Sequence, residues 1–141
     1  MTSPYDIALA FFEACEAPSG WAGCQQFATA DATFSAQSEP LMGMTRLADY
    51  CDWMHAFGTV TAPGARYELH SSSYDEQNRQ ALFFATYHAK HTGEGGPVPA
   101  TGKETASHYV YAISVNEALK VSHVTKVWNA PWAMRELGWD G

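Results

Sequence analysis

Apolar residues at the start of the chain recur at helical spacing: Ile7, Ala10, Phe11 and Ala14 fall on one stripe, and the pattern stops at Pro18-Ser19-Gly20. Ser3 can cap this helix, and Pro4 in its first turn needs no amide partner. Ser19 can cap a second helix with Trp21, Cys24, Phe27 and Ala28 on one face. A short extended run follows over residues 31–37. After a break at Pro40, Thr45 can cap a third helix whose stripe is Leu47, Tyr50, Cys51, Met54 and Phe57, with Gly58 expected at the C′ position that ends it.

From Arg66 onward the period becomes two. Four runs rich in aromatic and β-branched residues, 66–74, 79–92, 105–115 and 119–128, read as long strands. The short polar connections 75–78 and 116–118 make neighbours antiparallel. The stretch 93–102 holds four Gly and two Pro and is an irregular loop. Pro131 starts a brief C-terminal helix carrying Trp132 and Leu137. Helices first and a strand meander afterwards predict an α+β fold, with the helices on one face of an antiparallel sheet. Strands of this length twist, so the sheet curls around three N-terminal helices into a cone with one open mouth. At 141 residues, with no repeat or linker, the chain reads as one domain over its whole length.

Charge narrows the function. Eight Lys and Arg against fifteen Asp and Glu give a net charge of −7, with no basic cluster, which argues against nucleic acid and against an anionic membrane surface. Charged residues make up 16% of the chain, below the roughly 25% of ordinary soluble domains, so part of the surface is expected to be an interface. No apolar stretch is long enough to cross a bilayer and no signal pattern opens the sequence, so a cytoplasmic location is expected. Cys15, Cys24 and Cys51 form no CxxC pair and read as reduced core thiols. Neither a GxSxG elbow nor a phosphate-binding glycine loop is present.

Local strings add a resemblance. Ala30-Asp31-Ala32-Thr33-Phe34, His91-Thr92-Gly93 with Pro99-Ala100-Thr101-Gly102-Lys103, and the C-terminal stretches 123–129 and 132–139 resemble the SnoaL-like, polyketide cyclase-like branch of the nuclear transport factor 2-like superfamily. The resemblance implies the cone fold and a cofactor-free pocket for a small apolar or polyketide-like molecule. It covers nearly the whole chain, with Ala100 standing where that loop has a second proline. Matched to ketosteroid isomerases of this fold, Ala36, Phe12 and Tyr111 occupy the positions of the base, the first-helix tyrosine and the late-strand acid. The late strand 105–115 also lacks the aspartate of SnoaL-like aldol cyclases, and the last three strands hold no arginine beyond Arg79 for an epoxide hydrolase's Asp-Arg-Asp group.

His, Tyr and Lys remain as proton-transfer groups. Alternation puts Ser107, Tyr109, Tyr111 and Ile113 on one strand face, and the resemblance turns that face inward together with Val124, Lys126 and Trp128. His123 and Thr125 then face out. Tyr111 and Lys126 are the catalytic candidates, and Tyr50, Met54, His88, Tyr109 and Trp128 the expected pocket lining. A lysine among aromatic rings is partly desolvated and could serve as base or anchor; alternatively it snorkels to the cone mouth. His88 and His91 point to opposite strand faces and cannot share an ion, so no metal is expected. Cys51 and His55, four apart on a helix, lack a third orienting group. Two readings follow: a cofactor-free cyclase, isomerase or dehydratase acting on a small carbonyl compound, or a non-catalytic ligand-binding or dimeric assembly domain. A homodimer is expected in either case, through a strand face bearing Val121, His123, Thr125 and Val127.

Overall fold

A computed structural model describes residues 2–39 and 41–139, so the break expected at Pro40 lies outside the described residues. Helix α1 (Pro4–Glu16) starts at Ser3, whose hydroxyl accepts from the Asp6 amide at 3.1 Å while the Ser3 amide donates to the Asp6 carboxylate at 3.0 Å. This reciprocal cap satisfies two amides that the helix itself cannot. The buried positions are Ala8, Phe11, Phe12, Cys15 and Glu16, a wider face than the expected stripe, on which Ile7, Ala10 and Ala14 are only half-buried. Phe12 stacks on Phe83 at 4.9 Å and meets Tyr67 and Tyr111 edge-on. Helix α2 (Gly20–Cys24) is shorter than expected and gives way to a 3₁₀ turn at Gln25–Phe27. Strand β1 (Ala28–Ala36) accordingly begins three residues before position 31.

Helix α3 (Leu47–Ala56) begins one residue later than Thr45 would have it. The Thr45 carbonyl instead accepts from the Phe34 amide at 2.9 Å, tying the helix start to β1. Gly58 does not end the helix, which runs on into a π-helical turn at Phe57–Thr61 closed by the Ala62 amide on the Phe57 carbonyl.

Four long strands complete the sheet: β2 (Arg66–Asp75), β3 (Gln80–Lys90), β4 (Glu104–Val115) and β5 (Val121–Trp128). The strand order is β1-β5-β4-β3-β2. The meander from β2 to β5 is antiparallel, as expected, but β1 pairs parallel with β5, so one edge departs from a purely antiparallel sheet. The helices and turns between β1 and β2 carry the chain across to the far edge, which frees β1 from hairpin geometry. Arg79 (φ 52°) and Leu119 (φ 60°) sit in the turns rather than the strands, which shortens both runs at their starts. Arg79 then donates to the carbonyls of Val115 and Asn116 at 3.1 and 2.9 Å, holding the two hairpin ends together.

Helix α4 (Ala130–Glu136), capped by the Asn129 side chain on the Trp132 amide, follows β5. Its far end is tied down by Thr101, whose hydroxyl donates to the Leu137 carbonyl at 2.6 Å, and by Thr105, which donates to Glu136 at 2.6 Å. The core fills the space between the inner sheet face (Phe83, Ala85, Tyr111, Ile113, Val124) and α1 and α3. Val121 is fully buried rather than on the outer face, because a register shift at Ser114 and Val115 turns it inward. Among the described residues no helix is long and apolar enough to cross a membrane.

Candidate functional site

Alternation on β4 and β5 turns Ser107, Tyr109, Tyr111 and Lys126 inward as expected. There they meet a carboxyl group. Glu16, on the last turn of α1, is 2% exposed and accepts hydrogen bonds from the hydroxyls of both Tyr109 and Tyr111, the latter at 3.1 Å. Tyr111 is hydrogen-bonded in turn to the Tyr50 hydroxyl, and Lys126 Nζ donates to Tyr50 at 3.0 Å. With the Tyr50 hydroxyl donating to Tyr111, the bonds run in one direction, from the ammonium through two phenols to the carboxylate.

Aromatic rings surround the ammonium. Lys126 Nζ lies 4.2 Å from the Trp128 ring centre and between 5.2 and 5.9 Å from those of Tyr50, Tyr109, Tyr111 and Trp53. Ring faces stabilise a cation whose water has been removed. They do not replace water fully: burial lowers the Lys126 pKa from its ordinary 10.5 to about 8, against the opposing pull of Glu16. Burial likewise raises Glu16 above the usual carboxylate range, opposed by Lys126 and the two tyrosines. Tyr50 and Tyr111 are held far above the ordinary phenol value, chiefly by burial and then by the Glu16 charge, so both stay protonated donors.

A narrow cavity of about 30 Å³ opens beside this chain of bonds, room for one or two waters. Glu16, Tyr87, Tyr109 and Lys126 are its ionisable lining; Trp53, Met54, Phe57 and Trp128 form apolar walls, and Ala133, Met134, Leu137 and Trp139 close it from the C-terminal side. Among the described residues, Tyr87 Oη is the buried side-chain polar atom without a hydrogen-bond partner. Its neighbour Gly58 leaves it that room, since a Cβ there would stand 3.2 Å from the hydroxyl.

Of the residues expected from sequence, Met54, Tyr109, Lys126 and Trp128 line the cavity. Tyr50 and Tyr111 lie behind the wall, fully buried, and act on it through hydrogen bonds and through their rings beside the Lys126 ammonium. Tyr111 and Lys126 converge on one hydroxyl, as a shared site requires. His88 is a correction: strand alternation places it on the outer face, 3.4 Å from Glu68, because its inward neighbours on β3 are Tyr87 and Ala89. His123 faces out to Thr33 and Ser35, and His108 lies outside against Phe84. His91 is buried at the rim, where Nδ1 accepts from Trp139 at 2.8 Å and Nε2 donates to the Gly95 carbonyl. His55 points away from Cys51 and donates to the Pro18 carbonyl.

Glu16 and Tyr87 were absent from the expected site. For Glu16 a signal existed, since it lies four residues after Phe12 and would have completed a stripe Ala8, Phe12, Cys15, Glu16. Searching for the acid only on the late strands passes over it. Nothing in the sequence distinguishes Tyr87 from other strand tyrosines.

Neither a family model nor a curated protein matches the sequence. Solved structures do. AclR, a candidate hydroxylase from Streptomyces galilaeus, superposes with a TM-score of 0.76 at 20% identity, over 98% of this chain and 86% of its own. A candidate SnoaL-like polyketide cyclase from Jannaschia sp. CCS1 gives 0.76 at 11% identity over 98% and 93%. An NTF2-like protein from Burkholderia thailandensis gives 0.71 at 18% over 95% and 98%. The chain has the nuclear transport factor 2-like fold. Within this fold the helices fill the curved sheet and the cavity lies at its open end, where α4 covers it.

Proposed function

We propose that the protein is a SnoaL-like enzyme that enolises a small apolar carbonyl compound without a cofactor, the step common to cyclisation, isomerisation and dehydration. The observation that carries this reading is a buried carboxyl and a buried ammonium on one apolar cavity wall, joined by tyrosine hydroxyls rather than by a direct ion pair. Glu16 is the base that removes the proton next to the carbonyl, and a raised pKa suits that work near neutrality. Lys126, with one hydrogen bond made and donors to spare, takes the negative charge that develops on the oxygen, and the unpartnered Tyr87 hydroxyl is a second donor. Tyr109 and Tyr111 hold the carboxylate in place. The proton then returns from Glu16 to another carbon or to a leaving hydroxyl, or the enolate attacks a second carbonyl of the same molecule.

The cavity is narrower than any such substrate, so entry requires displacement of the segment from Ala133 to Trp139. The same narrowness favours the second reading, a non-catalytic ligand-binding or assembly domain. Solvent deuterium exchange into β-tetralone, an apolar ketone with an acidic C–H, separates the two. The protein should accelerate exchange, and Glu16→Gln should reduce it by about 10²–10⁴ while the fold is kept. No acceleration over buffer by the wild type, with this ketone or with apolar β-diketones, leaves the binding reading.

We also propose a homodimer through the outer sheet face, where Leu82, Phe84 and Val127 are exposed. Such an interface should bury on the order of 800 Å² per partner. Sedimentation should give twice the 15.4 kDa chain mass at micromolar concentration; a monomer alone overturns it.

A further inference from the structure

Directly behind the Glu16 wall of the cavity, three helices bring all three cysteines of the chain together. Cys15 comes from the end of α1, Cys24 from the end of α2 and Cys51 from α3. Their sulfurs lie within 4.8 Å of one another, and each residue is 1% exposed or less. All three are free thiols. A disulfide between any two would leave the third without a partner, whereas a three-coordinate ion uses all of them. Trivalent arsenic, with bonds to sulfur of about 2.3 Å in a pyramidal arrangement, holds its three sulfurs roughly 3.5 Å apart, inside the 4.8 Å within which these three lie.

We propose that Cys15, Cys24 and Cys51 form a three-thiolate site for a soft trivalent ion, with arsenous acid as its matching ligand. Thiolates select soft ions over hard ones. Charge selects among the soft ions: three thiolates leave a net negative charge on a monovalent or divalent metal and none on a trivalent one. The surroundings penalise added negative charge: the Glu16 carboxyl acts on Cys15 and the Asp52 carboxylate on Cys24 and Cys51, the cation near Cys15, Lys126, interacts more strongly with Glu16, and a buried uncompensated charge is costly. Arsenous acid exchanges three As–O bonds for three As–S bonds. Each thiol proton leaves with a hydroxide as water, arsenic stays trivalent, and no electron is transferred. Access runs through α2, five residues long and without a side-chain cap at Ser19, whose local opening uncovers Cys24.

The test is arsenite added to the intact, reduced protein. Native mass spectrometry should show one arsenic per chain with loss of three hydrogens, X-ray absorption should show three sulfur neighbours, and the thermal midpoint should rise, because the preformed triad belongs to the folded state. Cys15→Ala, Cys24→Ala and Cys51→Ala should each lose the third sulfur and the thermal shift. Wild-type protein that takes up no arsenic overturns the site, as does an adduct that lowers the midpoint, which would mean capture by the unfolded chain. Tight binding of Cd²⁺ but not of arsenite overturns the trivalent preference.

Discussion

Lys126→Met should cut deuterium exchange by about 10²–10³ while leaving the thermal midpoint at pH 7 unchanged or higher. Methionine keeps the unbranched stem and removes only the charge. Taking the ammonium out of water costs more than five aromatic rings and one hydroxyl return, as its depressed pKa records, so an apolar replacement of similar length loses little. Activity responds differently. Loss of the ammonium removes the enolate's counter-charge and also one of the attractions that hold Glu16 down, so the carboxyl's pKa rises further and less of it is ionised to serve as a base. Unchanged exchange and ligand affinity in this variant would leave Lys126 a structural residue.

The same substitution has a pH signature. Lys126 titrates near 8 in the folded chain and near 10.5 unfolded, so between those values the unfolded state binds more protons and stability rises with pH. The span is worth at most about 3 kcal/mol. Glu16 acts oppositely: its raised folded pKa adds stability that is present below about pH 4.5 and lost as pH climbs through the folded value. Above about pH 10 the buried tyrosines turn the curve down, since they ionise only on unfolding. Wild-type stability should therefore gain between pH 8 and 10 relative to Lys126→Met, and parallel curves for the two proteins would contradict the assignment.

Phe12→Ala should cost about 3–5 kcal/mol, a large share of the 5–15 kcal/mol that domains of this size possess. Phe12 is fully buried and pairs with the rings of Phe83, Tyr67, Tyr109 and Tyr111, so the void opens where helix and sheet meet, among aromatic side chains. Urea unfolding should show a lowered midpoint with an unchanged slope. A loss under about 1 kcal/mol would mean that the core collapses around the gap. The variant also loosens the two tyrosines that hold Glu16, so exchange should fall with stability.

Alternation carried most of what could be read beforehand. With a period of two, fixing the direction of Tyr111 fixes those of Tyr109 and Ser107, while the inward direction of Tyr111 itself and of Lys126 came from the family resemblance, and the two together made the strand half of the site legible. The helical half was not. A helix enclosed by a curved sheet is packed from several sides, so α1 buries more than one stripe, and a carboxylate such as Glu16 can lie on what spacing alone would leave half-exposed. His88 went astray because an aromatic-rich strand carries polar residues on both faces, and only register tells which face is inside. The cysteines were invisible as a group, because residues on three separate helices have no characteristic spacing. Where turns took their first residue, at Arg79 and Leu119, a left-handed backbone at a non-glycine residue left no mark in the pattern.

The parallel pairing of β1 with β5 has a kinetic consequence. Its contacts, such as Thr33 with His123, join positions 90 apart, whereas the β2 to β5 hairpins close over short turns or one loop. Chain entropy must be overcome before distant contacts give any return, so the meander forms first and the β1 edge docks late. Until then Lys126 sits on an open strand, solvated and fully charged, with Tyr50 not yet beside it. The slow step in folding is thus the one that strips water from this ammonium, and raising the pH toward its unfolded value of 10.5, which discharges it beforehand, should shorten that step.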